Sequence, residues 1–369
     1  MDLSKIYFYT IDELQRKLTL CPFKKPIILI NRQKSELWEL TDTLMHLVGD
    51  NRAIWFDHID PFPNQESLWR ILKLLDPYPD ADGLIAIGGG SVIDTAKILS
   101  AFRGMHFSGS EAVINAINQK TYQDNRVNAL PIIAVPTTAG TGSEVTQWAT
   151  VWENHSTRKH SVEAQYLLPS EAWIIPELTY TMSPRLTLST GLDAVCHACE
   201  AFWAKSSTPL VKELSLRSLQ IATEDLLVVL INPDNRTSRK NMSISSLLAG
   251  LAFSQTKTTA CHSISYPLTA TYHIEHGFAC ALTLAPVARY NSTITDLTKL
   301  FEVFAPYNGI QSWLDNVCRE VVTLRLSHFG IHKDAIHDIA NNAFTSGRMD
   351  NNPVDLSRQD VIAILEEVL

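Results

Sequence analysis

The first half of the chain alternates short, uniformly apolar runs with longer segments in which apolar and polar residues follow helical spacing. The apolar runs are PIILIN (26–31), AIWF (53–56), GLIAI (83–87) and PIIAV (131–135). Uninterrupted apolar character over so few residues is typical of parallel strands that are buried on both faces. SELWELTDTLMHLV and NQESLWRILKLL, which follow the first and second runs, are expected to be amphipathic helices. This βαβ rhythm predicts a doubly wound parallel sheet that binds ligands at the carboxyl ends of its strands.

The second half of the chain has a different pattern. From about residue 187 onward the apolar residues are mostly spaced as in helices, and Pro176 and Pro184 bracket a linker segment. At 369 residues the chain has a comfortable length for two domains. We therefore expect an α/β domain over residues 1–180 and an all-helical domain over residues 181–369.

Composition and charge exclude several classes of protein. The formal net charge of −8 argues against a general affinity for nucleic acid, because little would neutralise the backbone phosphates. The apolar runs are too short to span a bilayer, and the N-terminal residues lack the architecture of a signal peptide. Cys196 and Cys199 form a single CxxC without a second one, so we interpret them as buried structural thiols. A reducing, cytoplasmic location is the expectation that follows.

Two segments have the character of phosphate-binding loops. GGGSVIDTAK, from Gly88, follows an apolar run and opens a helical one, so its backbone can approach a pyrophosphate at a helix N-terminus. Its spacing is not that of a Rossmann fingerprint or a Walker sequence. By itself, a glycine-rich segment between a strand and a helix could also be a tight turn that binds no phosphate. PTTAGTGSEVT, from Pro136, is rich in hydroxyl groups and glycine and follows the next apolar run. Two such loops after neighbouring strands favour the phosphate interpretation.

Four side chains in the second half form a candidate metal site. Asp193 and His197 lie four residues apart in GLDAVCHACEAF, so they would project from one face of a helix. His262 and His276 follow downstream. One carboxylate and three neutral imidazoles suit Fe²⁺ or Zn²⁺, and a site with room for one more oxygen would be catalytic. A metal site that follows two phosphate loops suggests a metal-dependent dehydrogenase.

Together these motifs resemble the iron-dependent (group III) alcohol dehydrogenase family. The resemblance runs from about residue 26 to residue 353, and the gap between His262 and His276 matches the family's spacing for two metal ligands. It implies an α/β dinucleotide-binding domain joined to an all-helical domain, with metal and substrate in the cleft between them. It also implies that Lys159 lies near the nicotinamide ribose. We further expect a homodimer. The candidate cofactor-binding residues are Gly88, Gly89, Gly90, Ser91, Asp94, Thr137, Thr138, Thr141, Ser143 and Lys159.

Two departures from the family pattern bear on proton transfer and on the cofactor. Tyr266 occupies the position, four residues after the third metal ligand, at which the family usually has a second histidine. Tyrosine can donate a proton but is a poor base at neutral pH, so Tyr266 is either catalytic or a pocket-lining residue. At the end of the first strand, where NAD-specific members tend to carry an aspartate, this chain has Asn31 and Arg32. Arg32 can pair with a 2′-phosphate, which favours NADP(H) over NAD(H), unless it is only a solvated surface charge.

A third departure bears on the substrate. The family commonly has small, mostly apolar residues before the third metal ligand, but here the segment is QTKTTAC. A lysine beside a metal ligand is costly to bury unless an anion pairs with it, although Lys257 could instead reach solvent. KTTACHSISYP resembles the phosphonoacetaldehyde reductases within this family. Lys257, Thr258 and Arg348 are therefore the candidate substrate-binding residues, and Lys257 and Tyr266 the candidate catalytic ones.

The resulting functional hypothesis is a metal-dependent, NAD(P)H-linked reduction of a small anionic aldehyde to a primary alcohol. Phosphonoacetaldehyde, reduced to 2-hydroxyethylphosphonate, is the leading case. The metal would polarise the carbonyl group and stabilise the developing alkoxide, and the nicotinamide would supply the hydride. Three alternatives stay open: a general dehydrogenase of short uncharged alcohols and aldehydes, a dehydroquinate synthase-like lyase, and a binding or regulatory protein that retains the fold without activity. The intact ligand set and loops count against the last.

Overall fold

The computed structural model describes residues 4–61, 63–153 and 159–369. The chain forms two compact units. One consists of Met1–Thr138 and Ser143–Thr179, and the other of Ala139–Gly142 and Tyr180–Leu369. The segment Ala139–Gly142, which belongs to the second glycine-rich loop, therefore groups with the C-terminal unit.

The N-terminal unit contains a six-stranded sheet in which neighbouring strands are parallel. In spatial order its strands are β1 (Lys5–Phe8), β8 (Glu171–Ile174), β5 (Ile132–Pro136), β4 (Gly83–Gly88), β2 (Pro26–Leu29) and β3 (Ile54–Phe56). A separate antiparallel hairpin pairs β6 (Trp148–Trp152) with β7 (Lys159–Glu163). All four apolar runs form strands of the sheet, and the predicted α/β class of this part of the chain is confirmed.

Helices connect the strands of this unit. They are α1 (Ile11–Thr19), α2 (Arg32–Leu37), α3 (Thr41–Gly49), α4 (Gln65–Lys73), α5 (Gly90–Ala101) and α6 (Ser110–Asn118). The prediction of one helix over SELWELTDTLMHLV was wrong, because the segment is divided between α2 and α3. Glu39 has a φ of 55°, a left-handed conformation that a continuous right-handed helix does not accommodate.

Burial on both faces explains the uninterrupted apolar strands in the middle of the sheet. In β4, Leu84 and Ala86 belong to one apolar cluster, whereas Ile85 and Ile87 belong to a second. Successive side chains of a strand point to opposite faces, so β4 contributes to both clusters, and β2 and β5 do the same.

The direction of the strand order reverses between β2 and β4. From β2 the chain continues to β3 at one edge of the sheet, whereas β4, β5 and β8 extend from the other side of β2. The carboxyl ends of β2 and β4, at Leu29 and Gly88, therefore flank a topological switch point, where doubly wound sheets bind ligands. Asn31, Arg32 and the first glycine-rich loop all follow directly from these two strands.

The C-terminal unit is built from helices around one apolar core, as predicted. They are α7 (Pro184–Trp203), α8 (Pro209–Ile231), α9 (Arg236–Thr256), α10 (Ala260–Tyr272), α11 (His276–Leu282), α12 (Leu284–Asn291), α13 (Thr298–Phe304), α14 (Ile310–Cys318), α15 (Ile336–Asn342) and α16 (Arg358–Glu367). Pro184, expected at a linker boundary, opens α7 instead. Proline is favoured in the first turn of a helix, and the Ser183 side chain caps this one.

Cys196 and Cys199 are buried in α7 and form no disulfide, as the sequence indicated. Among the residues that the structure describes, no helix combines the length and the apolar character that crossing a bilayer requires.

Candidate metal centre and dinucleotide-binding loops

Helix α7 presents a carboxylate and an imidazole to the same buried region. Oδ1 of Asp193 lies 3.9 Å from Nε2 of His197, and both residues are buried. Their four-residue spacing predicted this, since such residues project from one face of a helix. Nδ1 of His197 donates to the carbonyl oxygen of Gly140 at 3.2 Å, which leaves a lone pair on Nε2.

Two further helices bring imidazoles to the same carboxylate. His262 in α10 and His276 at the start of α11 have their Nε2 atoms 3.5 and 3.9 Å from Oδ1 of Asp193. The close approach of α11 to α7 depends on Gly277, because a β-carbon there would lie 1.8 Å from the carbonyl oxygen of Ser189. The four side chains that the sequence singled out thus meet around one carboxylate oxygen.

Atoms at the centre of this cluster are left without hydrogen bonds. Oδ1 of Asp193 and Nε2 of His262 are buried and have no hydrogen-bond partner among the described residues. Buried polar atoms left unsatisfied are costly, and a cation bound between these two would remove that cost. The side chain of His276 is 27% exposed, so the cluster is not sealed from solvent. These residues fit a divalent metal ion.

The protonation states of Asp193 and His197 also suit a cation. Burial alone would raise the pKa of Asp193, but the imidazoles of His197, His276 and His262 hold that pKa well below its usual range. Burial lowers the pKa of His197 to about 4, so its imidazole is neutral at pH 7. An ionised carboxylate and a neutral imidazole are the forms in which these groups bind metals.

Sequence reasoning missed Glu200, which is fully buried in α7. Its carboxylate accepts hydrogen bonds from Nδ1 of His262 and, at 2.9 and 2.8 Å, from the backbone amide and hydroxyl group of Thr259. Since an ionised carboxylate only accepts, Nδ1 of His262 carries the proton and Nε2 is directed to the centre of the cluster. The available signal was a third polar residue, seven after Asp193, on one face of a helical stretch (191–203) that is otherwise apolar.

The first glycine-rich loop joins β4 to α5 at the switch point. Gly88 ends β4, Gly89 is the N-cap of α5 and Gly90 is its first residue. A β-carbon on Gly89 would lie 3.3 Å from Cγ2 of Thr138, and the backbone amide of Thr137 donates to the carbonyl oxygen of Gly88 at 3.1 Å. The two loops therefore pack directly against each other, and the amide groups at the start of α5 suit a pyrophosphate.

Two side chains of α5 anchor the second loop. The carboxylate of Asp94 accepts hydrogen bonds from the hydroxyl group of Ser143 at 2.6 Å and from the backbone amide of Thr150 at 2.9 Å. Lys97, which sequence reasoning passed over, is fully buried and donates to the carbonyl oxygens of Ser143 and Trp148 at 2.7 and 2.9 Å. Burial lowers the pKa of Lys97 to about 8. Asp94, predicted to bind the cofactor, thus has both carboxylate oxygens engaged within the protein.

Two models of one enzyme family together match most of the chain. The model of the iron-containing alcohol dehydrogenases matches residues 4–176, and that of the C-terminal part of the Fe-containing alcohol dehydrogenase family matches residues 187–369. Long-chain-alcohol dehydrogenase 1 of Geobacillus thermodenitrificans is 31% identical over 299 residues, which cover 77% of this chain and 74% of that protein. The chain belongs to the iron-containing alcohol dehydrogenase family. It is an oxidoreductase, and the resemblance inferred from its motifs is confirmed.

Two of the proteins that this iron-containing dehydrogenase resembles are reductases of aldehydes with an anionic group. The phosphonoacetaldehyde reductase of Streptomyces viridochromogenes is 36% identical over 215 residues, which cover 58% of this chain and 54% of that protein. The crystal structure of sulfoacetaldehyde reductase from Bifidobacterium kashiwanohense in complex with NAD⁺ matches with a TM-score of 0.84 at 25% identity. That match covers 100% of this chain and 97% of the other.

Arg32 and Asn31, which are expected to select the cofactor of this iron-containing dehydrogenase, form hydrogen bonds with other residues of the protein. Nε and Nη2 of Arg32 donate to Oδ2 of Asp57 at 2.8 and 2.5 Å, and the guanidinium lies 5.0 Å from the ring centroid of Trp55. Asn31 binds both backbone groups of Ile59, accepting from its amide at 2.6 Å and donating to its carbonyl oxygen at 3.3 Å. Asp57, which follows β3, is a second residue that sequence reasoning did not consider.

Three other predicted cofactor residues lie on separate elements of the dehydrogenase. Ser91 is in the first turn of α5, and Thr141 is in the short segment that groups with the helical unit. Lys159 begins β7, where its Nζ lies 5.9 Å from the ring centroid of Trp152, its register partner in the hairpin. The predicted role of Lys159 near the nicotinamide ribose stays a prediction.

The predicted substrate and catalytic residues lie in the helical unit. Lys257 follows α9 with a φ of 65°, and Thr258 next to it is buried. The ring of Tyr266, in α10, is nearly parallel to that of His276, with 6.2 Å between their centroids. Arg348 is half-buried in the loop after α15, and its Nη1 donates to the carbonyl oxygen of Gly347 at 2.9 Å.

Proposed function

We propose that this iron-containing alcohol dehydrogenase reduces a small anionic aldehyde to a primary alcohol, with phosphonoacetaldehyde, converted to 2-hydroxyethylphosphonate, as the leading substrate. The proposal rests on one observation: a ring contact and hydrogen bonds link the segment around Lys257 to residues of the candidate metal centre. A cation held beside that centre suits an aldehyde with an anionic tail, because the tail can bind the cation while the carbonyl group faces the metal.

Asp193, His197, His262 and His276 would hold the metal, for which we propose Fe²⁺ ahead of Zn²⁺. When bound, the ion supplies Lewis-acid polarisation of the aldehyde carbonyl, and the reduced nicotinamide supplies the hydride. Glu200 holds the ring of His262 in one orientation and in one tautomer.

Two neighbours tie Lys257 to the candidate metal centre. Phe253, one turn earlier in α9, stacks on His197 with 4.0 Å between ring centroids, and its carbonyl oxygen accepts from the backbone amide of Lys257 at 2.7 Å. Thr259, two residues later, donates to the carboxylate of Glu200. One residue that flanks Lys257 thus contacts a proposed metal ligand, and the other contacts Glu200, which holds a second proposed ligand in place. This position of Lys257 favours a role in substrate binding.

Arg348 lies on a loop that is held on both sides. The backbone amide of Thr345 donates to the hydroxyl group of Ser263 at 2.9 Å, and Nδ2 of Asn351 donates to the carbonyl oxygen of Thr256 at 2.8 Å. These bonds attach the loop to α10 and to the residue before Lys257. A second cation on this loop supports a substrate with more than one negative charge, as a phosphonate has.

Tyr266 is the proposed source of the proton that converts the nascent alkoxide to the alcohol. Its ring lies beside that of His276, one of the proposed ligands. A free phenol has a pKa of about 10, so it is protonated at neutral pH and can act as an acid in the reductive direction.

We propose NADP(H) ahead of NAD(H) as the cofactor, with Arg32 as the partner of the 2′-phosphate. The carboxylate of Asp57 already binds the guanidinium, so a 2′-phosphate must compete for it. The preference should therefore be modest. The predicted homodimer remains a prediction that sedimentation would test.

A panel of aldehydes tests the proposed function. Protein purified anaerobically with Fe²⁺ would be assayed for NADPH and NADH oxidation with phosphonoacetaldehyde, sulfoacetaldehyde, propanal and butanal. We expect kcat/KM to be highest for the phosphonate. A higher value for the sulfonate would keep the anionic class and replace the substrate. A preference for propanal or butanal would overturn the anionic proposal and leave a general alcohol dehydrogenase.

A further inference from the structure

Cys280 lies within the candidate metal centre, although no sequence motif singled it out. It is fully buried in α11, one helical turn after His276, and its Sγ lies 3.7 Å from Nε2 of that residue. The four-residue spacing repeats the relationship between Asp193 and His197 in α7. Two helices thus each direct a pair of side chains to the same buried region.

One compact group of potential ligand atoms in this region includes the thiol. One ligand atom from each of Asp193, His262, His276 and Cys280 lies within 4.8 Å of the other three. His197 is not part of that group of four. A second observation points to a ligand in the middle of the group, because Oδ1 of Asp193 and Nε2 of His262 are buried without hydrogen-bond partners among the described residues.

We propose that Cys280 binds the metal as a thiolate, alongside the carboxylate and imidazole ligands. The inference rests on the proposed metal centre and deepens it. On binding, the S–H bond gives way to an S–metal bond and the proton leaves to solvent. Asp193 and Cys280 then contribute two negative charges, which balance a divalent ion.

The chemistry of the thiol is consistent with such a role. A soft sulfur ligand disfavours hard cations such as Mg²⁺ and suits Fe²⁺, Zn²⁺ or Co²⁺. A thiolate would also make the centre less electrophilic than one with only oxygen and nitrogen ligands.

Cobalt substitution tests the proposal without relying on turnover. The full chain would be loaded with Co²⁺, and its absorption spectrum compared with those of Cys280→Ser and Cys318→Ser. The latter removes a buried thiol from α14, outside the group of four. We expect a thiolate-to-cobalt charge-transfer band in the parent and in Cys318→Ser, and its loss in Cys280→Ser. Loss of a residue that only hydrogen-bonds to a metal ligand lowers metal affinity by roughly 10- to 100-fold. Because Cys280→Ser would remove a direct ligand, its affinity for cobalt should fall by at least that factor.

X-ray absorption of the zinc- or iron-loaded parent gives a readout that needs no variant. A sulfur neighbour at about 2.3 Å supports the thiolate ligand. Bound cobalt without the charge-transfer band, together with only nitrogen and oxygen neighbours, would overturn the role of Cys280 and leave the aspartate and histidine centre standing. Failure of the parent to bind any of these metals would overturn the metal centre itself, and this inference with it.

Discussion

The carboxylate of Glu200 accepts a hydrogen bond from Nδ1 of His262, and this bond directs the opposite ring nitrogen towards Asp193, 3.5 Å away. All three side chains are buried, so water does not compete for the contact. Outer carboxylates of this kind fix the orientation and tautomer of a ligand imidazole. The affinity of the centre for metal should therefore depend on a residue that does not itself bind the metal.

Replacing Glu200 tests that dependence. We expect Glu200→Ala to weaken metal binding by about 10- to 100-fold, since His262 would lose its fixed orientation. Glu200→Gln retains an acceptor oxygen for Nδ1 and should lose less. Competition with a chelator for Zn²⁺ or Co²⁺ gives the dissociation constants. Identical affinities in the parent and both variants would show that Glu200 only supports the fold.

The metal ligands themselves can be tested against a histidine close by in the sequence. His262→Ala and His276→Ala should each abolish turnover and reduce bound metal to a trace, because each removes a proposed ligand of a buried ion. His273→Ala is the control, since His273 is exposed at the end of α10. Metal content by mass spectrometry and turnover would be measured on the same samples. Full activity in either ligand variant, or in metal-stripped enzyme, would refute the assignment.

The sequence predicted those features that arise from local periodicity. Parallel strands buried on both faces are continuous apolar runs, and four of them were recognisable as such. Strand β1 was not, because at the edge of the sheet its residues are largely exposed or half-buried and its pattern is mixed. The position of Glu39, which breaks the predicted helix, was also hidden, since a left-handed residue other than glycine leaves little trace in a sequence.

The parts of the site that were missed depend on contacts between distant residues. Glu200 has a role only because α10 brings Thr259 and His262 to it, 59 and 62 residues further along the chain. Lys97 similarly acquires its role from carbonyl oxygens 46 and 51 residues away. Cys280 is one of six cysteines and belongs to no motif in the sequence, and only the fold places it beside His276.

Cofactor choice provides a test of the Arg32–Asp57 pair. Arg32→Ala should raise the KM for NADPH more than that for NADH, because only NADPH has a 2′-phosphate for the guanidinium. Asp57→Asn should act in the opposite direction, since it removes both the competing carboxylate and its repulsion of the phosphate. Binding of 2′,5′-ADP and 5′-AMP, followed by calorimetry, would provide affinities independent of turnover. Equal effects on both cofactors would mean that Arg32 is a surface charge.

The buried carboxyl group of Glu144, in the second loop, predicts a pH dependence of stability. Burial raises its pKa from 4.5 to about 7, so the folded state binds the proton more tightly than the unfolded state. Its stabilising contribution is therefore complete below about pH 4.5 and is lost as the pH rises through about 7. Lys97, with a pKa of about 8, stays protonated over most of that window.

Glu144→Gln should remove this dependence. Between pH 5 and pH 8 the parent should lose free energy of unfolding relative to the variant, as measured by denaturant titration at each pH. Glu111→Gln, which changes an exposed carboxylate in α6, is the control and should parallel the parent. A parent and Glu144 variant that differ by a constant amount across the range would contradict the raised pKa.

The anionic-substrate proposal depends most directly on Lys257. Charge-assisted hydrogen bonds contribute on the order of 1.5–3 kcal/mol, which corresponds to a roughly ten- to hundredfold effect on kcat/KM. Lys257→Ala should therefore depress the reduction of phosphonoacetaldehyde by about that factor and leave propanal and butanal nearly unchanged. The variant retains a β-carbon, so the cost of the φ of 65° at this position is little altered. Lys240→Ala, which changes an exposed lysine near the other end of α9, is the matched control. An equal fall for charged and uncharged aldehydes would make Lys257 a structural residue, and an unchanged rate with the phosphonate would remove it from the site.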